Sequence, residues 1–336
     1  MRRRLRSRNM AAFTLVELLV SMFVLIIIFL ITASIIEATQ RAWRRTDSMI
    51  SQYREARTSF ETMGRRIAQA QLNPRLEYEY EDMLPIRYRK GSKLHFVCGP
   101  ASELIGDNHI HPGHAIFFQA PLGMTADHRY RDFNHLLNAW GYFIEFGSDE
   151  AWMPGIARES KQVQPRYRFR LMEFRQPSEE LSIYKEFSPA EGDWYRRHLA
   201  PRNVAVIAEN VIGLVIAPQS PGDEDPDWMA PNYAYSSQIP LTKADSTLAK
   251  ITEHELPPVI RMTLIAIDED TAIQQQGEDT KPPEKLQLSA IAPFTDAQNY
   301  ENDMKTLEAH LRKSEIEFRV FSTSIAIRNA KWKLGE

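Results

Sequence analysis

A long apolar segment close to the N-terminus constrains this chain more than any other feature. From Phe13 to Ile36 the only charged side chain is that of Glu17, and about 20 apolar residues suffice for a helix to cross a bilayer. The residues before the segment include no acid and several arginines, namely Arg2, Arg3, Arg4, Arg6 and Arg8. Since basic residues favour the cytoplasmic side of a membrane, we expect a single-pass helix with a cytoplasmic N-terminus and a periplasmic or extracellular remainder.

A cleaved secretory signal is the first alternative for this segment. The apolar core of such a signal usually runs for about 7–15 residues and ends in a small-x-small cleavage site. The segment is longer than that, and only Ala33 and Ser34 approach such a site. The sequence therefore favours a retained membrane helix.

The start of the segment reads Ala12-Phe13-Thr14-Leu15-Val16-Glu17-Leu18-Leu19-Val20. It resembles the N-terminus of type IV prepilins and type II secretion pseudopilins, although that family usually has Gly where this chain has Ala12. The resemblance implies cleavage by a prepilin peptidase between Ala12 and Phe13, followed by N-methylation of Phe13. It also implies that Glu17, then the fifth mature residue, meets the Phe13 amine of a neighbouring subunit during filament assembly. Physical chemistry agrees, because a carboxylate within lipid needs a positive partner.

The helical period continues beyond the apolar segment, but on one face only. That stripe consists of Ile50, Tyr53, Phe60, Met63, Ile67 and Ala70. Its spacing is typical of an amphipathic helix that packs on a core, and Pro74 ends it because the residue before a proline avoids the helical region. The predicted organisation is a basic leader (1–12), an N-terminal helix (13–73, transmembrane over 13–36 and amphipathic over 37–72) and an extracytoplasmic β-rich head (74–336).

Period-two patterns in the head predict strands. The candidates are Ala115–Gln119, Trp140–Phe146, Tyr167–Phe174, Val204–Ile207, Val211–Ile216, Val259–Ile267 and Glu317–Ile327, with a hairpin that joins Ile86–Lys90 to Lys93–Cys98. Residues 268–288 are polar and predict an exposed loop, and a helix capped by Thr295 and Gln298 is expected near 296–313. The predicted fold class is α+β and type IV pilin-like: a long N-terminal helix packed on an antiparallel sheet, with a short late helix.

The composition limits the classes of function. The chain has 336 residues and a formal net charge of −3, so no overall basic field points to nucleic acid. A single cysteine, Cys98, rules out an internal disulfide, and its apolar neighbours predict a small core residue. The sequence lacks a nucleophile elbow, a phosphate-binding loop and a His-Glu-x-x-His motif. We therefore expect a structural protein rather than an enzyme, with no cofactor.

Several stretches of the head carry a narrower resemblance. They are Trp140–Gly147, Ala230–Tyr235, Leu256–Ile260, Phe318–Thr323 and Ile327–Trp332, and they are similar to a pilin-like family called Verru/Chthon cassette protein C. That resemblance implies a prepilin-like leader and a multi-gene cassette, but no activity. The layout of long helix, head and late Leu-Pro-Pro strand is also similar to the J-type minor pseudopilins of type II secretion.

Two groups of head residues have side chains that can bind metals. Histidines are concentrated at His109, His111 and His114, with His128 and His135 beyond them, and acids at Asp223, Glu224, Asp225 and Asp227. A zinc site needs convergent ligands that this spacing does not fix, and the acids do not follow the EF-hand pattern. Exposed loop histidines and a solvated acidic loop are the simpler interpretations. Likewise Arg166, Arg168 and Arg170 predict an ordinary wet strand face rather than a nucleic-acid site.

The sequence leaves two functions open. The first is a minor pilin or pseudopilin of the cytoplasmic membrane, whose partners are prepilin peptidase, other pilin or pseudopilin subunits along the N-terminal helix, and membrane lipid. It would join a type IV pilus or a type II secretion pseudopilus and so serve protein transport. The second is an uncleaved signal anchor that holds a ligand- or metal-binding module at the cell surface. The chemical state of the mature N-terminus distinguishes them.

Overall fold

The structure, a computed structural model, describes residues 14–81, 83–106, 109–159, 164–184, 193–220, 226–239, 253–276 and 280–331. The chain divides into two compact units, residues 1–50 and 51–336. Helix α1 (Leu15–Ile67) supplies the described part of the first unit and the first element of the second. The second unit, which we call the head, contains all the other described elements.

The head is built from short helices and antiparallel strands. The strands are β1 (Arg75–Glu81), β2 (Leu84–Gly91), β3 (Val97–Pro100), β4 (His114–Pro121), β5 (Leu137–Ser148), β6 (Tyr167–Gln176), β7 (Val204–Glu209), β8 (Val211–Gln219), β9 (Tyr235–Ser236), β10 (Val259–Ile267) and β11 (Phe318–Ala326). The helices after α1 are α2 (Ala101–Ile105), α3 (Gly155–Glu159), α4 (Asp193–Arg196), α5 (Glu269–Gln276), α6 (Leu288–Ile291) and α7 (Tyr300–Lys313). One long apolar N-terminal helix followed by antiparallel sheets confirms the coarse prediction of an α+β protein.

The described strands form three sheets. The largest has six strands in the order β7-β6-β5-β4-β3-β9, the second has the order β11-β10-β8, and β1 and β2 form a two-stranded sheet. Strand β8 packs against β4, β5 and β6, so the core lies between the two larger sheets. This explains why β4 and β8 are buried along almost their whole length.

The part of α1 that belongs to the head packs on both larger sheets. Met63 and Ile67 are fully buried, and the ring of Phe60 lies 6.0 Å from that of Phe321 in β11. On the other side, the Ser59 hydroxyl donates to the carbonyl of Ile207 in β7 over 2.7 Å. The apolar stripe predicted from the sequence is therefore the face of α1 that contacts the core.

Helix α1 ends at Ile67, earlier than the predicted end at residue 72. The chain beyond it changes partner, because the Gln71 amide donates to the carbonyl of Gln119 in β4 over 2.8 Å. The Ala68 carbonyl accepts from the amide of Arg328 over 3.0 Å. Backbone groups that could have extended the helix are thus used by neighbouring elements.

The predicted hairpin around Gly91-Ser92 is wrong. Strand β2 pairs with β1, so that Gly91 lies opposite Arg75, and the turn of this hairpin lies next to Met83. Met83 has a φ of 65°, a left-handed conformation that side chains other than glycine and asparagine seldom adopt. The turn therefore lacks the glycine signal on which the prediction relied.

Two further predictions about the late part of the chain are wrong. Residues 268–288 include helix α5, whose N-terminus is capped by Asp268 Oδ1, which accepts from the Thr271 amide over 3.1 Å. The turn before α7 is capped by Asp296 instead of Thr295, since Asp296 Oδ1 accepts from the Gln298 amide over 3.1 Å. In both cases the side chain of an aspartate caps the start of a helical turn.

The wet strand face predicted for Arg166, Arg168 and Arg170 is wrong for the two arginines that lie in β6, whereas Arg166 precedes the strand and is exposed. Arg168 and Arg170 are buried. Arg170 Nη2 donates to the Ser148 carbonyl over 2.7 Å, and Arg168 Nη2 lies 3.7 Å from Glu269 Oε1. Cys98, by contrast, is buried as a core residue as predicted.

Candidate functional site

The first candidate site is the apolar part of α1. Leu15–Arg41 is long and apolar enough to cross a membrane. Its most apolar 18-residue window has a mean hydropathy of 3.0, and none of that window is buried by the described chain. Leaving so large an apolar surface in water is unfavourable, so lipid or other protein must cover it. The segment therefore has the properties of a single membrane span or a signal anchor.

Glu17 lies in the first turn of α1, three residues after Thr14. The Glu17 amide donates to Thr14 Oγ1 over 3.2 Å, while the amide and hydroxyl of Thr14 donate to Glu17 Oε2 over 3.0 and 2.9 Å. This reciprocal arrangement is a capping box, which satisfies donors that a helix N-terminus leaves open. The capping box was not predicted from the sequence, although a threonine followed three residues later by a glutamate is the signature of the motif.

The capping box occupies only one of the two carboxylate oxygens of Glu17. Oε2 takes both bonds from Thr14, and within the described chain Oε1 takes none. Because an ionised carboxylate has about four acceptor positions, Oε1 can accept from a donor on another chain while the cap stays intact.

Some predicted site residues lie outside the described residues. They are Ala12 and Phe13, at the predicted cleavage and methylation positions, together with the leader 1–12 and the acids Asp223, Glu224 and Asp225.

The second candidate site is a cleft of about 490 Å³ in the head. Ile110 pairs with Phe146 of β5, and its two neighbours His109 and His111 line the cleft together with Glu145. His109 Nδ1 lies 3.6 Å from Glu145 Oε1, and the two imidazole rings stack with their centres 6.3 Å apart.

The cleft combines these polar groups with apolar walls. His111 Nδ1 donates to the Ile144 carbonyl over 2.9 Å, which fixes the orientation of the ring. Phe143 and Trp152 supply apolar surface, and Arg158 lies at the same cleft. A pocket with apolar walls and a few placed polar groups suits a small ligand.

His114 does not belong to this cleft. Its Nδ1 accepts from the amide of Ile216 in β8 over 3.0 Å, and its Nε2 donates to the Phe294 carbonyl over 3.3 Å. Burial lowers the pKa of His114 to about 4, so the ring is neutral near pH 7 and connects β4 to β8. The prediction of exposed loop histidines is therefore wrong for His111 and His114, because β4 and its preceding segment lie in the core.

The predicted histidine cluster is thus divided between a cleft and a core contact. Within the described ranges, no group of three or more His, Cys, Asp or Glu side chains could hold a metal ion. Glu145 was missed as a cleft residue, although the sequence contained a signal, since it is the only charge in the apolar run Trp140–Phe146. A charge that interrupts a buried strand needs a polar surrounding.

Comparison with known proteins provides no relative, since no family model, no curated protein and no solved structure matches the chain. The functional argument therefore depends on the N-terminal segment and on the fold of the head.

Proposed function

We propose that the protein is a minor pilin- or pseudopilin-like structural subunit. It is held in the cytoplasmic membrane by the apolar part of α1 and assembled through that helix into a filament of the type IV pilus or type II secretion pseudopilus kind. The observation that carries the proposal is Glu17, a lone carboxylate in the first turn of a helix with no other charge as far as Ile36. Ionisable groups inside a membrane are expensive and functional by default.

The two oxygens of Glu17 suggest how the contact is made. Cleavage between Ala12 and Phe13 leaves an ammonium group at the start of the helix. Thr14 of the same chain holds Oε2, and the Phe13 ammonium of a neighbouring chain donates to Oε1. In a medium of low dielectric constant such a pair is far stronger than in water, so it selects one stagger between adjacent helices.

The head supports the same proposal. Its first element is an amphipathic helical segment, with Met63 and Ile67 buried against antiparallel sheets. A pilin-like subunit needs this arrangement, in which one helix supplies a membrane segment and a packing face for the head. The chain has a single cysteine, Cys98, so the core of the head is held together without an internal disulfide.

The decisive experiment is mass spectrometry of the N-terminus of the protein purified from membranes. We expect the chain to begin with N-methylated Phe13. A chain that still begins at Met1 or within the arginine tail would overturn the proposal. The variant Ala12→Gly, which restores the usual residue of the family before the cut, should be processed at least as completely as the wild type.

Assembly is tested with Glu17→Ala and Glu17→Gln. Glutamine keeps an oxygen that can accept from Thr14 but has no charge, so we expect both variants to insert into the membrane and neither to co-assemble. Glu37→Ala is the matched control, because Glu37 is an exposed acid of the same helix and pairs with Arg41 one turn away. Normal co-assembly of Glu17→Gln would show that the carboxylate acts as a helix cap alone.

The cleft in the head favours one alternative. An uncleaved signal anchor could present the site of His109, His111 and Glu145 to a small ligand at the cell surface. An intact N-terminus combined with saturable binding of a ligand, lost in His111→Ala, would support this second function.

A further inference from the structure

Strands β1 and β2 form a separate sheet, which we call the ribbon. Tyr78 and Tyr88 lie opposite each other at its centre, with ring centres 4.6 Å and hydroxyl oxygens 2.8 Å apart. No third strand in the described part of the chain pairs with either outer edge. Since an isolated two-stranded sheet is at best marginally stable in water, a further strand along one of its edges would stabilise the ribbon.

The ribbon also exposes apolar side chains. Those more than half exposed are Leu76, Tyr78, Met83, Leu84, Ile86 and Tyr88. Single exposed apolar residues are normal, but a group of them on one small element marks an interaction surface. The exposed apolar side chains therefore indicate that another molecule binds to the ribbon. The charges of the two strands indicate which molecule this is.

The two strands carry opposite charges in their sequences. Strand β1 contains Glu77, Glu79 and Glu81 beside Arg75, whereas β2 contains Arg87, Arg89 and Lys90. Lys90 is already paired with Glu255 elsewhere in the head, so the basic character of the β2 edge comes from Arg87 and Arg89. Inside the ribbon Glu77 lies opposite Arg89, and Glu79 lies opposite Arg87. The ribbon thus has one mainly acidic edge strand and one basic edge strand.

These charges restrict which strand can be added. Opposite charges across a strand pair stabilise a sheet and like charges destabilise it, and cations on an edge discourage unspecific pairing. Adding β1 to β1 would oppose glutamates, and adding β2 to β2 would oppose arginines. Only β2 of one chain beside β1 of another continues the alternation, along the part of β2 that follows Pro85, which cannot donate a hydrogen bond.

We propose that the ribbon is an interaction surface for a second copy of this chain, in which the basic edge of β2 pairs antiparallel with the acidic edge of β1 of the next copy. The contact joins two different surfaces, so it can propagate from copy to copy. One strand pair buries less than the roughly 1,200 Å² of a stable interface, so the contact forms between chains that a shared membrane already concentrates. The inference is independent of the filament function, because an uncleaved anchored chain carries the same ribbon.

The pairing of edges is tested by disulfide cross-linking of the full chain in membranes. Two variants, Tyr78→Cys and Tyr88→Cys, are given different affinity tags and co-expressed. The wild type, whose only cysteine is the buried Cys98, is the blank. We expect the disulfide-linked heterodimer, in which the cysteine introduced at position 78 of one chain is bonded to the cysteine introduced at position 88 of the other, to form a larger share of all dimers than random collision would give. An excess of either homodimer, or random proportions, would overturn the proposal.

The charge dependence is tested in the same cross-linking pair. With Arg87→Glu in both chains, we expect the mixed dimer to fall about fivefold, whereas Arg131→Glu, at an exposed arginine outside the ribbon, should leave it unchanged. Because Arg87→Glu also opposes Glu79 inside the ribbon, a third pair of chains carries Glu79→Arg and Arg87→Glu together. This exchange restores both the internal and the intermolecular complementarity and should restore the yield. The edge pairing is contradicted if Arg87→Glu leaves the heterodimer yield unchanged, or if the double exchange does not restore that yield.

Discussion

The contact between α1 and the six-stranded sheet includes an ion pair with a buried carboxylate. Arg66 pairs with Glu173, whose side chain is only 6% exposed, and Arg66 Nη1 donates to the Tyr142 hydroxyl over 3.2 Å. The guanidinium lies 4.5 Å from the centre of the Trp140 ring, and Trp140 Nε1 donates to Glu173 Oε1 over 3.0 Å. The charges and hydrogen-bonding groups of these residues are paired with one another. Removing one of them therefore leaves a buried charge or hydrogen-bonding group without its partner.

The two partners should not be equally sensitive to substitution. Removing one member of a buried ion pair costs about 3–5 kcal/mol. For Arg66→Met we expect the lower end, about 3 kcal/mol, because Trp140 and the Arg175 guanidinium, 4.0 Å from Glu173 Oε2, still compensate part of the charge. Glu173→Gln keeps an acceptor for Trp140, and the Arg66 side chain, 29% exposed, can reach water. We therefore expect Glu173→Gln to cost only about 1–2 kcal/mol.

The assay is urea unfolding of the full chain in a mild non-ionic detergent, with the folded fraction measured by pulse proteolysis. The matched control is Arg57→Met, which removes an exposed arginine of the same helix paired with Glu61 one turn away. That exposed pair should contribute about 0.5 kcal/mol or less. The reasoning is refuted if Arg66→Met costs no more than Arg57→Met, or if Glu173→Gln costs more than Arg66→Met.

Other predictions concern acid sensitivity and close packing. Burial lowers the pKa of His114 to about 4 and that of His95 to about 3, both below the value of 6.5 for an unperturbed histidine. The unfolded chain therefore binds more protons below pH 6.5, and stability should fall as pH is lowered, by up to about 1.4 kcal/mol per pH unit for each histidine. A series of urea midpoints from about pH 7 to about pH 5 should show this slope, with a smaller slope in His114→Gln; equal slopes would contradict the assignment. Gly113→Ala should lower the thermal midpoint strongly, because Gly113 has a φ of +72° and an added Cβ would lie 2.5 Å from the Leu214 carbonyl oxygen. Gly155→Ala, where nothing lies within 4 Å of the added atom, should be nearly neutral, and similar midpoints for the two variants would refute the packing argument.

The sequence predicted those strands whose pattern is local and uninterrupted. The range Val259–Ile267 is that of β10, because an apolar, β-branched run without a turn residue has few alternatives. The hairpin of β1 and β2 could not be predicted in the same way. Its turn contains Met83 at a positive φ, and a methionine gives no sequence signal for that conformation. Gly91, by contrast, led to the prediction of a turn where the structure has none.

The burial of several polar residues could not be predicted from the sequence, because their partners lie far away along the chain. His114 is neutral and buried because its ring bonds to Ile216, 102 positions later in the chain. Nothing near His114 in the sequence indicates that partner, so a solvent-exposed loop was the better expectation from composition alone. The same holds for Arg170, whose bond to the Ser148 carbonyl exists only after β5 and β6 have paired.

Glu17 differs from these residues because its partner is local. The bonds between Thr14 and Glu17 join residues three positions apart and form as soon as the helix does, so the capping box can be inferred from the sequence without knowledge of the fold. This has a consequence for assembly. A carboxylate already oriented by its own helix loses little conformational entropy when a further donor binds, so the free oxygen of Glu17 is preorganised before any neighbour arrives. Thr14→Val, which removes the hydroxyl donor but keeps the charge, should therefore weaken co-assembly without abolishing it, in contrast to Glu17→Gln.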